Sequence, residues 1–154
     1  MKLMSRIERL TATGIGLGLI LFLAGACGTA GRFEKTRLLA AETAAIRTVQ
    51  MLHTAQVQYF SQYGAYAKSL SQLGPATNGP ASAQAADLLP PDVAGGVRNG
   101  YRFTVEGDAK KYSIQARPVS YGKSGNRSFY SDASMIVRQN SDDAPATAES
   151  PEAR

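Results

Sequence analysis

Catalysis needs side chains that converge on one point, and candidates for such a group are sparse in this 154-residue chain. His53 is the single histidine and Cys27 the single cysteine, so an intramolecular disulfide is impossible. A histidine acts as a general base only beside a nucleophile and a group that orients it. His53 lies at the edge of an apolar helical stripe, which favours a hydrogen-bonded structural role. We therefore expect no enzyme, no cofactor and no metal site.

Three further patterns resemble ligand sites and fail on their context. The glycines of GIGLG at 14–18 alternate as in a dinucleotide-binding loop, but they lie inside an uncharged apolar run with no preceding strand. The GKS at 122–124 resembles the end of a phosphate-binding loop, yet the earlier glycine that such a loop needs is replaced by Arg117. A calcium site would need clustered oxygen ligands. Only three aspartates are candidates for it, Asp132 together with Asp142 or Asp143.

The positive charge of the chain is concentrated in its second half. The formal net charge is +5, and residues 98–138 alone hold eight basic and three acidic residues. Such a surface is either an ordinary solvated face or a face for a polyanion such as nucleic acid or anionic lipid. The candidate polyanion-binding residues are Arg102, Lys110, Lys111, Arg117, Lys123 and Arg127.

Residues 1–31 have the composition of an export signal or a membrane anchor. Three basic residues within the first nine precede an uncharged apolar run from Leu10 to Gly31. The LAGAC at 23–27 resembles a bacterial lipobox, with Ala24 where leucine is usual, and this predicts a lipid on Cys27. The alternative is a retained membrane helix, since about 20 apolar residues span a bilayer, with Gly14 and Gly18 as its packing face. Both hypotheses place the rest of the chain outside the cytoplasm.

Residues 32–63 are predicted to form one long amphipathic helix, which we call the spine. This stretch has no proline or glycine and is rich in good helix formers. Gly64 suits its C-terminal cap, and residues 32–42 are expected to form an exposed, charged stalk. Near the apolar stripe, Glu42 and Gln56 are expected to bond loop or strand backbone, or to face a partner subunit. The apolar stripe consists of Leu38, Ala45, Ile46, Val49, Leu52, Phe60 and Tyr63.

The rest of the chain predicts a loop, a small sheet and a tail. Residues 64–100 are rich in glycine, proline and alanine and should hold one short helix at 82–89. Alternating apolar residues over 101–139 predict three or four antiparallel strands, the last two at 127–131 and 134–138. The spine is the only long apolar surface available to cover them. Residues 140–154 lack an apolar pattern and should be disordered. The expected fold is therefore α+β, with the spine packed on a small meander.

This order of elements is similar to that of type IV pilins and type II secretion pseudopilins with short globular heads. The similarity covers roughly residues 36–139, within a predicted pilin-like domain at 32–139, and rests on dispersed matches. These are TAQVQY at 54–59, NGYRF at 99–103 and RSFYSD at 127–132. The resemblance implies a non-catalytic protein of the cell envelope whose partners are the membrane and other pilin-like subunits or envelope proteins.

The N-terminus departs from the pilin pattern in two respects. Arg9 stands where the pilin leader ends in glycine, and no acidic residue lies between 10 and 31, where pilins carry a glutamate. These departures favour a lipid anchor at Cys27, with the head in the periplasm or outside the cell and the outer membrane as the favoured location. The alternatives are a DNA-binding minor pilin, a stand-alone periplasmic lipoprotein with a pilin-derived fold, and a small periplasmic enzyme with a polar pocket.

Overall fold

The computed structural model describes residues 26–77 and 79–154. The expectations for residues 1–25, which include the basic start and most of the apolar run, fall outside this range. The chain divides into two compact units, residues 1–36 and 37–154. The described part of the first unit consists of the first turns of helix α1, Ala26–Tyr63. The second unit contains the rest of α1 and every other element.

Helix α1 confirms the predicted spine and begins six residues before the predicted start. Its buried side chains recur every three or four residues, as one face of a helix requires. Phe60 was predicted to lie on that face but is 39% exposed, whereas the neighbouring Tyr59 is buried. Gly64, at a φ of 72°, ends the helix and donates its amide to the Phe60 carbonyl. The buried apolar residues of α1 are Ala45, Val49, Leu52, Ala55 and Tyr59.

The predicted helix at 82–89 is not formed. Two four-residue helices, α2 (Leu70–Leu73) and α3 (Pro91–Ala94), lie before and after that segment. The amides of residues 86–89 instead donate to the carbonyls of residues 72–74. Asp87 has a φ of 55°, which a helix does not allow. Pro91 opens α3 at its first position, where the missing amide hydrogen of proline has no cost.

Five antiparallel strands form one sheet in chain order, one more than the largest number predicted. β2 and β3 pair over seven residues each, and their buried positions alternate as the sequence predicted. The last strand is three residues long and begins at 138, where the predicted strand ends. Asp132 accepts the Ser134 amide, and Met135 has a φ of 61°, so this stretch is a turn. The strands are β1 (Val97–Arg98), β2 (Tyr101–Gly107), β3 (Tyr112–Pro118), β4 (Ser128–Asp132) and β5 (Arg138–Asn140).

Within residues 37–154, α1 and the inner face of the sheet share one hydrophobic core. Leu52 from the helix, Phe103 from β2 and Phe129 from β4 belong to it, and each is at most 2% exposed. The α+β fold class is thus present. The stalk was predicted to be exposed as far as residue 42, but Glu42 is only 3% exposed. The packed part of α1 therefore begins earlier than predicted.

Residues 141–154, which we call the strap, do not form the disordered tail that composition predicted. Ala146 is fully buried and Ala153 packs against the core. The Gln139 amide donates to the Pro151 carbonyl, and the Ala153 amide donates to the Val137 carbonyl. The prediction failed because main-chain hydrogen bonds hold this segment, and they leave no apolar periodicity in the sequence.

Candidate functional site

Two of the predicted polyanion-binding residues lie side by side on the outer face of the sheet. Arg102 of β2 pairs in register with Arg117 of β3, and both side chains are exposed. Both point away from the core, because their strand neighbours Phe103 and Ala116 point into it. Like charges directly opposite each other on a sheet are unfavourable. This pair is therefore a point at which an anion would lower the energy of the face.

The lysines among the candidates lie elsewhere. Lys110 and Lys111 are in the turn between β2 and β3. They lie beyond the last register pair of the hairpin, which is five residues, or about 16 Å at 3.3 Å per residue, from the arginine pair. Their amides donate to Asp108, and these hydrogen bonds lower the pKa of its carboxyl group. Lys123 is in the loop between β3 and β4, and its carbonyl accepts from Arg37. The six residues do not form a single surface.

Arg127 is committed to an ion pair with the helix. Its Nη2 and Nε lie 2.7 and 2.8 Å from a carboxylate oxygen of Glu42. The other oxygen of Glu42 accepts the Asn126 amide at 2.9 Å. The third guanidinium nitrogen donates to Gln139 at 2.6 Å. The expectation that Glu42 bonds loop backbone is confirmed, whereas its arginine partner, 85 residues away, was missed. Arg127 thus fastens α1 to the start of β4.

His53 lies in a buried hydrogen-bonded chain between α1, β3 and β4. Its Nδ1 is 2.8 Å from the Tyr112 hydroxyl, and its Nε2 is 2.8 Å from the Ser131 hydroxyl. Ser131 donates its own hydrogen to the Ile136 carbonyl, so it must accept from Nε2–H. Nδ1 is then the acceptor for Tyr112 in the neutral ring. The expected hydrogen bonding of His53 is confirmed, and the network determines its tautomer.

This network is arranged for structure and not for nucleophilic catalysis. A serine nucleophile must present its hydrogen to the base, but Ser131 gives it to a main-chain carbonyl and is fully buried. Burial lowers the pKa of His53, and the charge of Asp132 partly opposes this. Burial, with smaller contributions from Tyr66 and Asp132, raises the pKa of Tyr112 to about 12. Both groups therefore stay neutral at physiological pH.

Gln56 connects α1 to the loop that follows it. Its amide nitrogen donates to the Ala67 carbonyl at 2.9 Å, and its oxygen accepts the Ala67 amide at 2.8 Å. The two bonds use both polar ends of the side chain, which is fully buried. The expectation that Gln56 bonds loop backbone is confirmed.

Two open cavities lie in the second unit. One, of about 370 Å³, lies between α1 and two loops, with Arg37 and Lys123 at its rim and three alanines of the helix in its wall. The other, of about 640 Å³, lies beside the β2–β3 turn and contains Tyr130 and Asp132. Hydrogen bonds from the Ser134 side chain and then from the Ser134 amide lower the pKa of the Asp132 carboxyl group. In the first cavity the Ser124 hydroxyl donates to the Ser120 carbonyl, and in the second the Tyr130 hydroxyl lies 3.5 Å from Asp132.

Metal ligands do not cluster in the described part of the chain. No group of three histidine, cysteine, aspartate or glutamate side chains is placed to hold an ion there. Every buried side-chain nitrogen and oxygen in the same range has a hydrogen-bond partner. The possible calcium ligands Asp132, Asp142 and Asp143 therefore do not belong to such a group within the described residues.

The most unusual surface is the outer face of β3–β5, which the strap crosses. Gln115 and Ser128 point outward from their strands, and each donates to a carbonyl of the strap. Arg138 donates to a third strap carbonyl. Sequence reasoning missed this surface, because hydrogen bonds to main-chain carbonyls have no residue signature in the strap. The alternation of β3 did show that Gln115 faces outward.

The predicted lipidation site lies at the beginning of the described residues. Cys27 is in the first turn of α1, and its side chain is outside the described part of the structure. Among the helices that the model describes, none has the length and apolar content needed to cross a membrane.

Comparisons with known proteins leave the family of this chain open. No protein-family model, no curated protein and no solved structure matches it.

Proposed function

We propose that this chain is a non-catalytic, pilin-like interaction module of the cell envelope, tethered by its N-terminal segment. The observation that carries the proposal is the docking of one long helix on an antiparallel meander, which is the element order of pilins and pseudopilins. In this docking Glu42, His53 and Gln56, which are buried polar residues of the helix, all make internal bonds. Such a head offers surfaces to partners and no reaction centre.

The tether is proposed to be a lipid on Cys27. The uncharged residues 10–31 and the small residues before Cys27 support it. A lipid would hold the head at the outer membrane without the glutamate that pilin assembly uses. Partners would then be the membrane and other envelope or pilin-like subunits of a type IV pilus or type II secretion-type system. The same features fit a stand-alone periplasmic lipoprotein with this fold.

Metabolic labelling tests the tether. Cells expressing the chain are grown with radiolabelled palmitate, beside cells expressing the Cys27→Ala variant. We expect label in the wild-type chain and none in the variant. If the wild-type chain carries no label but is still in the membrane fraction, the tether is a membrane helix and not a lipid.

A second candidate function is nucleic-acid binding by a DNA-uptake pilin, favoured by the paired Arg102 and Arg117. The matched comparison is an Arg102→Ala, Arg117→Ala variant against a Lys110→Ala, Lys111→Ala variant, since both lose two charges. If DNA binds the outer face, only the arginine variant should release it at lower salt, because each phosphate contact adds to the salt dependence. If the wild-type chain shows no DNA retention at low salt, this candidate is excluded.

A further inference from the structure

The outer face of the sheet holds the strap by its main chain. The Ser128 hydroxyl donates to the Ala144 carbonyl at 2.7 Å, and the Gln115 amide donates to the Ala146 carbonyl at 3.2 Å. A third donor, the Arg138 guanidinium, lies 2.9 Å from the Ser150 carbonyl. Three side chains from three adjacent strands thus bind three carbonyls of one segment, which turns at residues 147–150. Every peptide has such carbonyls, so this part of the face recognises main chain.

The edge of β5 also pairs with the strap, as one strand pairs with another. The Gln139 amide donates to the Pro151 carbonyl at 2.8 Å, and the Ala153 amide donates to the Val137 carbonyl at 2.8 Å. Arg138 and Glu152 form an antiparallel bridge between these two bonds. Addition of an extended segment to a free sheet edge is a common mode of peptide recognition. We call the outer face of β3–β5 together with this edge the groove.

Side-chain size and charge make the groove selective. Ala146 of the strap is 0% exposed yet lies outside the hydrophobic core cluster, so the groove accepts a small side chain at this point. The strap contains four acidic residues and one basic residue. The face beneath and beside it presents Arg102, Arg117 and Arg138. The preferred ligand is therefore an acidic segment with an alanine near its centre and a turn after it.

The first three residues of the strap, 141–143, connect it to β5 and make few contacts with the sheet. Residues 141–143 are exposed. A local turn shapes them, in which the Ala144 amide donates to the Asp142 carbonyl. A side-chain bond from Tyr121 to the Ser141 carbonyl attaches this stretch to the sheet. Straightening residues 141–143 would release the strap while the helix–sheet core stays intact.

We propose that the groove is a docking site for the strap of a second copy of this chain, so that two chains associate by exchanging straps. The contacts in the groove are the same whether the strap comes from the same chain or from another. Exchange therefore costs the rearrangement of residues 141–143 and the loss of freedom on association. A tether that concentrates copies on one membrane, as in the proposed function, would favour exchange.

The first test separates the groove from its own strap within the full-length chain. Ala146→Arg puts a long charged side chain where the groove accepts only a small one, and it leaves the core face unchanged. A fluorescent peptide of residues 141–154 is added, and its anisotropy is measured. We expect saturable binding to the variant and at least tenfold weaker binding to the wild-type chain, whose own strap competes at an effective concentration of about 1 mM.

Two controls show whether binding is specific to the groove. A peptide that carries Ala146→Arg should bind at least tenfold more weakly. The same loss is expected when Gln115→Ala and Arg138→Ala are added to the Ala146→Arg chain. Circular dichroism and cooperative melting confirm that each variant is folded. Absence of peptide binding to a folded Ala146→Arg chain would overturn the proposal, and so would equal binding of both peptides.

The second test measures exchange between whole chains. A tagged Ala146→Arg chain has a functional groove and a defective strap. An untagged Gln115→Ala, Arg138→Ala chain has a defective groove and a functional strap. In detergent, the tagged chain should retain the untagged chain at least tenfold more than a tagged chain with the same groove defect retains it. Equal retention would overturn exchange. Neither test uses Cys27, so failure here is distinguishable from failure of the proposed lipid tether.

Discussion

Removing Arg127 should be among the most damaging single changes to this protein, because it leaves Glu42 charged and buried. Glu42 is 3% exposed and accepts three hydrogen bonds, two of them from the guanidinium. In Arg127→Ala the carboxylate keeps only the Asn126 amide. Breaking a buried ion pair from one side costs about 3–5 kcal/mol. The Arg127 side chain is 23% exposed, so water can partly replace it. We therefore expect about 3 kcal/mol.

Urea unfolding followed by circular dichroism measures this loss. A small domain has about 5–15 kcal/mol of stability in total, so the midpoint should fall far below that of the wild-type chain. Arg102→Ala is the matched control, since it removes an exposed arginine and should change stability by less than about 0.5 kcal/mol. The double variant Glu42→Leu, Arg127→Leu removes both charges and should recover most of the loss. If Arg127→Ala costs no more than Arg102→Ala, the docking of α1 on the sheet is wrong.

Three further changes test the core, the histidine network and the loop that packs on β2. Leu52→Ala should cost about 2–5 kcal/mol in urea unfolding, because Leu52 is fully buried, whereas Val57→Ala, at a 46% exposed site, should change little. Folding lowers the pKa of His53, so the unfolded chain binds more protons below its usual pKa of about 6.5. The melting temperature should therefore fall as the pH drops below about 6.5, and His53→Gln should reduce this dependence. Gly107→Ala should cost about 1–3 kcal/mol, because its Cβ would lie 2.3 Å from the Ala67 carbonyl oxygen, while Gly31→Ala meets open space and should be neutral or stabilising. A Gly107→Ala chain as stable as Gly31→Ala would contradict the close approach of that loop.

The elements with strong periodicity could be predicted from the sequence. The 3.6-residue spacing of Ala45, Val49 and Leu52 located the helix and most of its buried face. The alternation of Tyr101, Phe103 and Val105 located β2 and its inner side. Tyr59 and Phe60 could not be separated in this way, because both are large aromatic residues next to each other at the border of the stripe.

The rest depends on contacts between residues that are far apart in the chain. Nothing local indicates that Glu42 meets Arg127, because that pairing follows from how the helix lies on the sheet. The segment 82–89 has good helix formers, but carbonyls of residues 72–74 accept the amides of residues 86–89, which a helix would otherwise use. The strap is polar and has no apolar periodicity, because the groove binds its main chain and not its side chains. Ala146 is the strap residue whose side chain is fully buried.

The groove offers an explanation for the concentration of positive charge in the second half of the chain. The basic residues that suggested a polyanion partner include Arg102 and Arg117, which share the outer face of the sheet with Gln115. An acidic strap already crosses part of that face. A polyanion bound at Arg102 and Arg117 would therefore lie next to the strap and be repelled by its acidic residues. Strap exchange and nucleic-acid binding would thus oppose each other.

The most direct test of the central claim, a tethered envelope module, is the mass of the mature N-terminus in protein purified from the membrane fraction. The proposed function predicts a chain that begins at Cys27 and carries the added mass of a lipid. A chain that begins at Leu10 would indicate processing as a pilin instead. A chain that still begins at Met1 with an unmodified Cys27 would contradict the lipid tether.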